Sequence, residues 1–74
     1  MRVKVKLYGD YLKYGPEESI IEVEDNTTVE DVLNKLGIDE RAYIIVLVNL
    51  KRVWFDYKLS SGDVVSIFSP VGGG

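Results

Sequence analysis

The sequence of 74 residues contains no cysteine and no histidine. Without cysteine there is no disulfide framework, no thiol nucleophile and no thiolate metal site. Without histidine the commonest general base and metal ligand is missing too. A self-sufficient hydrolase or a zinc protein fits this composition poorly. A basic excess is also lacking: nine Lys and Arg stand against twelve Asp and Glu, for a net charge of −3. A nucleic-acid-binding surface carries a positive footprint, so no direct nucleic-acid partner is expected. The longest apolar run, "YIIVLV" at 43–48, is far short of the ~20 residues of a spanning helix. Met1 leads straight into a strand-like pattern, which leaves no room for a signal peptide. These absences predict a soluble, cytoplasmic protein with no membrane association and no metal ligands of its own.

What is present describes an ordinary globular domain. Hydrophobic residues make up 46% and charged residues 28% of the chain. A single domain of this size buries only about 60% of its unfolded surface, so its core must be well made.

The pattern of apolar residues sets the element order. "RVKVKLY" alternates, with Val3, Val5 and Leu7 on one face and Arg2, Lys4, Lys6 and Tyr8 on the other. That period of two is a half-buried strand. "GDYLKYGPEE" supplies Gly9, Gly15 and Pro16 and is expected to be a loop. "SIIEVE" resumes the alternation, so that outward glutamates face the outward lysines of the first strand. "TTVEDVLNKLG" reads as a helix, with Thr27 as cap and Glu30 completing a capping box. Val29, Val32, Leu33 and Leu36 form its apolar stripe, and Gly37 ends it. After an irregular "IDERA", "YIIVLVN" is apolar on both faces, as a central strand should be. "LKRVWF" is expected as a short partner strand, "DYKLSSGD" as a loop with Leu59 in the core, and "DVVSIFS" as the last strand. One sheet gripping one helix is the economical two-layer solution. The first and last strands are expected side by side at its centre, in parallel.

This order resembles the β-grasp (ubiquitin-like) fold, an α+β class with a mixed sheet of four to five strands packed on one main helix. Residues 48–74, "VNLKRVWFDYKLSSGDVVSIFSPVGGG", are similar to the C-terminal third of the MoaD/ThiS family of sulfur carriers. Those are the small subunit of molybdopterin synthase and the sulfur carrier of the thiamine pathway. The shared features are Val48-Asn49, Leu59, Gly62-Asp63, Val65-Ser66-Ile67 and the closing Gly73-Gly74. Ser69-Pro70 keeps the second of two prolines usual in the molybdopterin branch. Gly72-Gly73-Gly74 is as common an ending in the thiamine-type branch, so both pathways stay open.

The resemblance implies a co-substrate rather than an enzyme. An E1-like enzyme, supplying ATP and Mg²⁺, would adenylate the carboxylate of Gly74, next to Gly73. Sulfur from a persulfide would then give a thiocarboxylate for a sulfur-accepting synthase subunit or another acceptor, in molybdopterin, thiamine or tRNA thiolation. The division expected is a domain at 1–69 and a flexible tail at 70–74. Pro70 lacks a ladder donor, which favours release of the chain from the sheet. Val71 and Gly72 would thread with it, and glycines lacking Cβ allow close approach to a foreign active site. Extended, residues 70–74 reach roughly 15–18 Å.

For docking, Phe68, Val64 and Tyr8 are expected on the face away from the helix, joined by Ile44, Val46 and Val48 or their alternates. Trp54 and Phe55 are expected as core or edge packing rather than a base-stacking platform. "EDNTTVED" lacks the spacing and glycine of a calcium loop, and Glu17-Glu18 and Glu24-Asp25 read as solvated charges. Two other functions fit the residues. A ubiquitin-like modifier would join lysine amines through the same Gly-Gly end. A plain interaction module would use only the sheet face, and deletion of Gly73 and Gly74 would leave its binding intact.

Overall fold

In the computed structural model, which describes residues 1–39 and 41–70, the alternating segments form one five-stranded sheet. The strands are β1 (Arg2–Leu7), β2 (Glu18–Glu22), β3 (Ile45–Val48), β4 (Lys51–Arg52) and β5 (Val64–Phe68). Their order across the sheet is β2-β1-β5-β3-β4. The parallel pair at the heart of this order is β1 with β5, in register Lys4↔Val64 to Leu7↔Ile67. All other pairings are antiparallel. The expectation from the residue pattern holds for both the parallel pair and the crossover that it requires.

The alternation decides which face is buried. Val3, Val5 and Leu7 of β1 and Val65 and Ile67 of β5 meet Val46 and Val48 of β3 in the core. The α-helix of the described residues, α1 (Val29–Leu36), adds Val29, Val32 and Leu33, all fully buried, with Leu36 at the margin. Each such side chain contributes about 1.5–3 kcal/mol relative to exposure, enough to dominate the folding of so short a chain. Leu59 closes the core from the loop before β5, as expected. Two further core residues come from segments that show no regular period. Tyr11 enters from a 3-10 helix at Gly9–Tyr14, where the sequence pattern suggests a loop. Ile38 is buried in the stretch that reads as irregular.

The start of α1 differs from expectation by one residue. Thr28, not Thr27, is the N-cap, and Asp31, not Glu30, completes the box. Thr28 Oγ1 accepts from the Asp31 N–H at 3.2 Å, and Asp31 Oδ2 accepts from the Thr28 N–H at 3.0 Å. Thr27 is held in the preceding turn instead. Its N–H and hydroxyl both donate to the Glu24 carbonyl, and its own carbonyl accepts from Leu59 N–H. The C-terminus follows the pattern, with Gly37 left-handed at φ 76° and Ile38 N–H bonded to Leu33 O at 2.9 Å.

The β3–β4 connection is a two-residue hairpin whose central residues, Asn49 and Leu50, have φ of 52° and 71°. Positive φ at both positions marks a type I′ turn, in which glycine is the usual second residue. Asn tolerates this region, but a leucine there costs roughly 1–2 kcal/mol. The strand before it begins at Ile45 rather than at Tyr43, which is exposed with φ 67°. Among the described residues no helix is long and apolar enough to cross a membrane.

Candidate functional site

The sheet face away from α1 is divided into two halves. On the β2–β1 side it is mainly ionic, with the exposed Ile20 among the charges: Arg2 pairs with Glu22, while Lys4 and Lys6 both reach Glu18 at 3.8 and 3.6 Å. These are the cross-strand pairs expected from the alternation, and they leave no concentrated charge of one sign. On the β5–β3 side the face is apolar. It carries Phe68 and Ser66 from β5 and Ile45 and Leu47 from β3, paired as Ile45↔Phe68 and Leu47↔Ser66. Ile45 and Leu47 are thus the alternates on this face, while Ile44, Val46 and Val48 face the core.

Tyr8, one residue past β1, meets Phe68 edge-to-face with ring centroids 6.1 Å apart. The pair is held by backbone geometry, because Tyr8 N–H extends the parallel ladder to Ile67 O at 3.2 Å. Around it lies an open groove of about 480 Å³, lined by Tyr8, Leu47, Leu50, Ser66, Phe68 and Ser69, with Gly9 and Asp10 at the 3-10 end. The groove therefore reaches the residue just before Pro70, which is exposed.

Two of the three expected docking residues, Tyr8 and Phe68, come together here. Val64 does not line the groove. It lies four residues back along β5, about 13 Å at strand rise, is half-buried, and donates its N–H to Asn49 Oδ1. Val71, Gly72, Gly73 and Gly74 lie outside the described residues. Leu47 and Leu50 belong to the groove but are not among the expected docking residues. Leu47 could have been found by counting the period of two back from Val48. Leu50 could not, because only the turn geometry brings it to this side.

The opposite edge of the sheet holds a second, more polar groove between α1 and β4, lined by Arg41, Phe55, Arg52 and Trp54 among others. Phe55 packs at the margin of the core, as expected. Trp54 departs from expectation: it is 69% exposed, with the Arg52 guanidinium 5.1 Å from its ring centroid. The two-residue β4 ends before it, so no strand covers the ring. Arg41 is engaged within the chain, donating to Ile38 O and Asn34 Oδ1. Among the described residues no group of acidic side chains is placed to hold a metal ion.

Five strands in this order around one helix define a β-grasp, ubiquitin-like domain. The family model of the ThiS family matches residues 5–74, and the chain belongs to that family, one of small carrier proteins rather than enzymes. Solved structures agree. SAMP1 from Haloferax volcanii is 25% identical over 100% of both chains, with a TM-score of 0.81. A putative molybdopterin converting factor, subunit 1, from Pyrococcus furiosus is 29% identical. It covers 96% of this chain and 99% of its own, also with a TM-score of 0.81. A complex of subunits 1 and 2 of molybdopterin-converting factor from Helicobacter pylori matches with 26% identity, full coverage of both chains and a TM-score of 0.65. No curated protein matches the chain.

Proposed function

We propose that this member of the ThiS family carries sulfur on the carboxylate of Gly74. The observation that supports the reading most is the family match, which runs through residue 74 and so takes in the glycines. An E1-like enzyme binds ATP and Mg²⁺; the Gly74 carboxylate attacks the α-phosphate and pyrophosphate leaves. The terminal sulfur of a persulfide then attacks the acyl carbon, AMP departs, and a thiol cleaves the resulting acyl disulfide to free the thiocarboxylate. The chain itself contributes no acid, base or metal in this scheme. It delivers a carboxylate on a tail, residues 70–74, that ends in three glycines, from a body at 1–69.

The groove beside Ser69 supplies the other requirement, a surface by which tail-receiving proteins hold the body. Tyr8 and Phe68 are its aromatic anchors in this reading, with an apolar centre and the ionic β2–β1 half at its rim. A second subunit that accepts the sulfur is the natural next partner, by analogy with the two-subunit molybdopterin-converting factor of Helicobacter pylori. All of these steps belong in the cytoplasm, where ATP and persulfide donors are found.

The test is intact mass after incubation with ATP, the E1-like enzyme from the same genome and a persulfide donor. Replacement of one oxygen by sulfur is expected in the full chain and not in a variant lacking Gly73 and Gly74. An unchanged mass, with the enzyme active on another carrier, would overturn the reading.

A further inference from the structure

Leu50 combines three properties that rarely coincide. It is 85% exposed, more than any other large hydrophobic residue in the described part of the chain. It sits at φ 71°, in the left-handed region that disfavours a branched side chain and suits glycine. It also lines the apolar groove with Tyr8, Leu47 and Phe68. Neither folding nor solubility accounts for it: glycine would relax the turn, and a polar residue would suit the solvent. Leucine at this position contributes only an apolar surface at the rim of the groove.

From this we infer that Leu50 is an apolar anchor for the adenylating enzyme that receives the tail. The inference rests on the reading of Gly74 as the reacting end. Covalent geometry limits where that occupant sits. Residues 70–74 span roughly 15–18 Å at full extension, and the groove begins at Ser69. A protein that holds the Gly74 carboxylate in its active site must bring its own surface within that distance of Ser69. A body docked on the groove meets that limit, because the groove ends at Ser69. The hairpin tip projects at the far end of this groove from the tail, so Leu50 and the tail grip the same enzyme at two separated points. Two such points fix the orientation of a small body that a single attachment would leave free to rotate. An apolar recess on the enzyme, opposite the β3–β4 turn, is the matching feature.

The experiment measures ATP–pyrophosphate exchange by the E1-like enzyme from the same genome, with the carrier concentration varied. Leu50→Gly and Leu50→Asn both suit a positive φ, so thermal melts should match or exceed the wild type. Their KM is expected to rise roughly tenfold or more, the effect of losing one hot-spot residue, with kcat unchanged. Leu50→Met restores an apolar side chain and should return KM toward wild type. A wild-type KM in both the Gly and Asn variants would overturn the role of Leu50 while leaving the carrier reading intact. No exchange with the wild-type chain would overturn both. A loss of affinity for the sulfur-accepting subunit alone, with normal exchange, would assign Leu50 to that partner and likewise overturn the proposal.

Discussion

The Asn49 side-chain amide donates to Asp63 Oδ1 at 2.9 Å, joining the β3–β4 turn to the start of β5. Asn49 Oδ1 accepts from Val64 N–H, also at 2.9 Å, and Asp63 Oδ2 accepts from Ser60 N–H at 2.8 Å. The backbone continues the lock, with Asn49 N–H bonded to Val64 O at 2.9 Å and Asp63 O accepting from Lys4 N–H at 2.9 Å. Two sequence features that look like separate turns, Val48-Asn49 and Gly62-Asp63, are therefore one network. It ties the β3–β4 turn to the start of β5. Asn49→Ala is expected to cost about 2–3 kcal/mol, since it strips partners from a buried carboxylate and from Val64 N–H. Asn49→Gly, which suits φ 52°, should cost less by about 1 kcal/mol. Urea unfolding of the two variants checks both the size and the order; equal costs would mean that the turn backbone contributes nothing.

The helix start offers a direct comparison between neighbouring threonines. Thr28→Ala removes the acceptor for Asp31 N–H and should destabilise the domain by about 1 kcal/mol. Thr27→Ala removes a hydroxyl that donates only to the Glu24 carbonyl, which also accepts from Thr27 N–H, and should cost less. Denaturation midpoints for the pair decide which threonine caps α1. A larger loss at Thr27 would contradict the observed box.

The threonines also show where sequence alone stops. In "TTVED" both Thr27 and Thr28 have an acid three residues on, so the capping-box pattern fits two frames. The choice is made by long-range bonds, Leu59 N–H to Thr27 O and the bridge of Thr28 with Lys58. Where a period extends over several residues, as in β1, α1 and β5, both the element and its buried face were legible. Tyr11 and Ile38 were not, because a short 3-10 turn and a post-helix residue have no period to read. In the apolar groove, Tyr8 and Phe68 follow from alternation on two strands in parallel register. Val64 follows the same alternation but is half-buried where β5 is tied to the Asn49 turn, and it does not line the groove. Leu50 depends on the handedness of a single turn, which neither hydropathy nor spacing encodes.

The ionic half of the open face should be nearly silent in stability. Glu18 receives Lys4 and Lys6 at 3.8 and 3.6 Å, but its side chain is 54% exposed, and exposed pairs are screened by water and salt. Glu18→Gln is expected to change stability by less than about 1 kcal/mol, with the difference shrinking as salt is raised. Thermal melts at low and high ionic strength test this. A large loss that persists in high salt would mean that β2 is held by these ions rather than by its ladder and by Ile21 at the core.

The two ends of β5 should separate docking from folding. Phe68 presents its ring to the groove against Tyr8, whereas Val64 is tied by its N–H to Asn49 and lies outside the groove. If adenylation requires the groove, Phe68→Ala and Tyr8→Ala should each raise the KM for the carrier roughly tenfold, as hot-spot aromatics do, with little change in kcat. Val64→Ala keeps the backbone bond and should leave KM within about twofold, while lowering stability modestly through lost packing. The double variant of Tyr8 and Phe68 adds a further test. Because the rings touch each other, their effects on KM should be less than additive. Full additivity would mean that the rings contact separate parts of the enzyme and that their edge-to-face packing plays no part in recognition. An increase in KM for Val64→Ala equal to that for Phe68→Ala would move the docking surface off the groove and onto the whole length of β5.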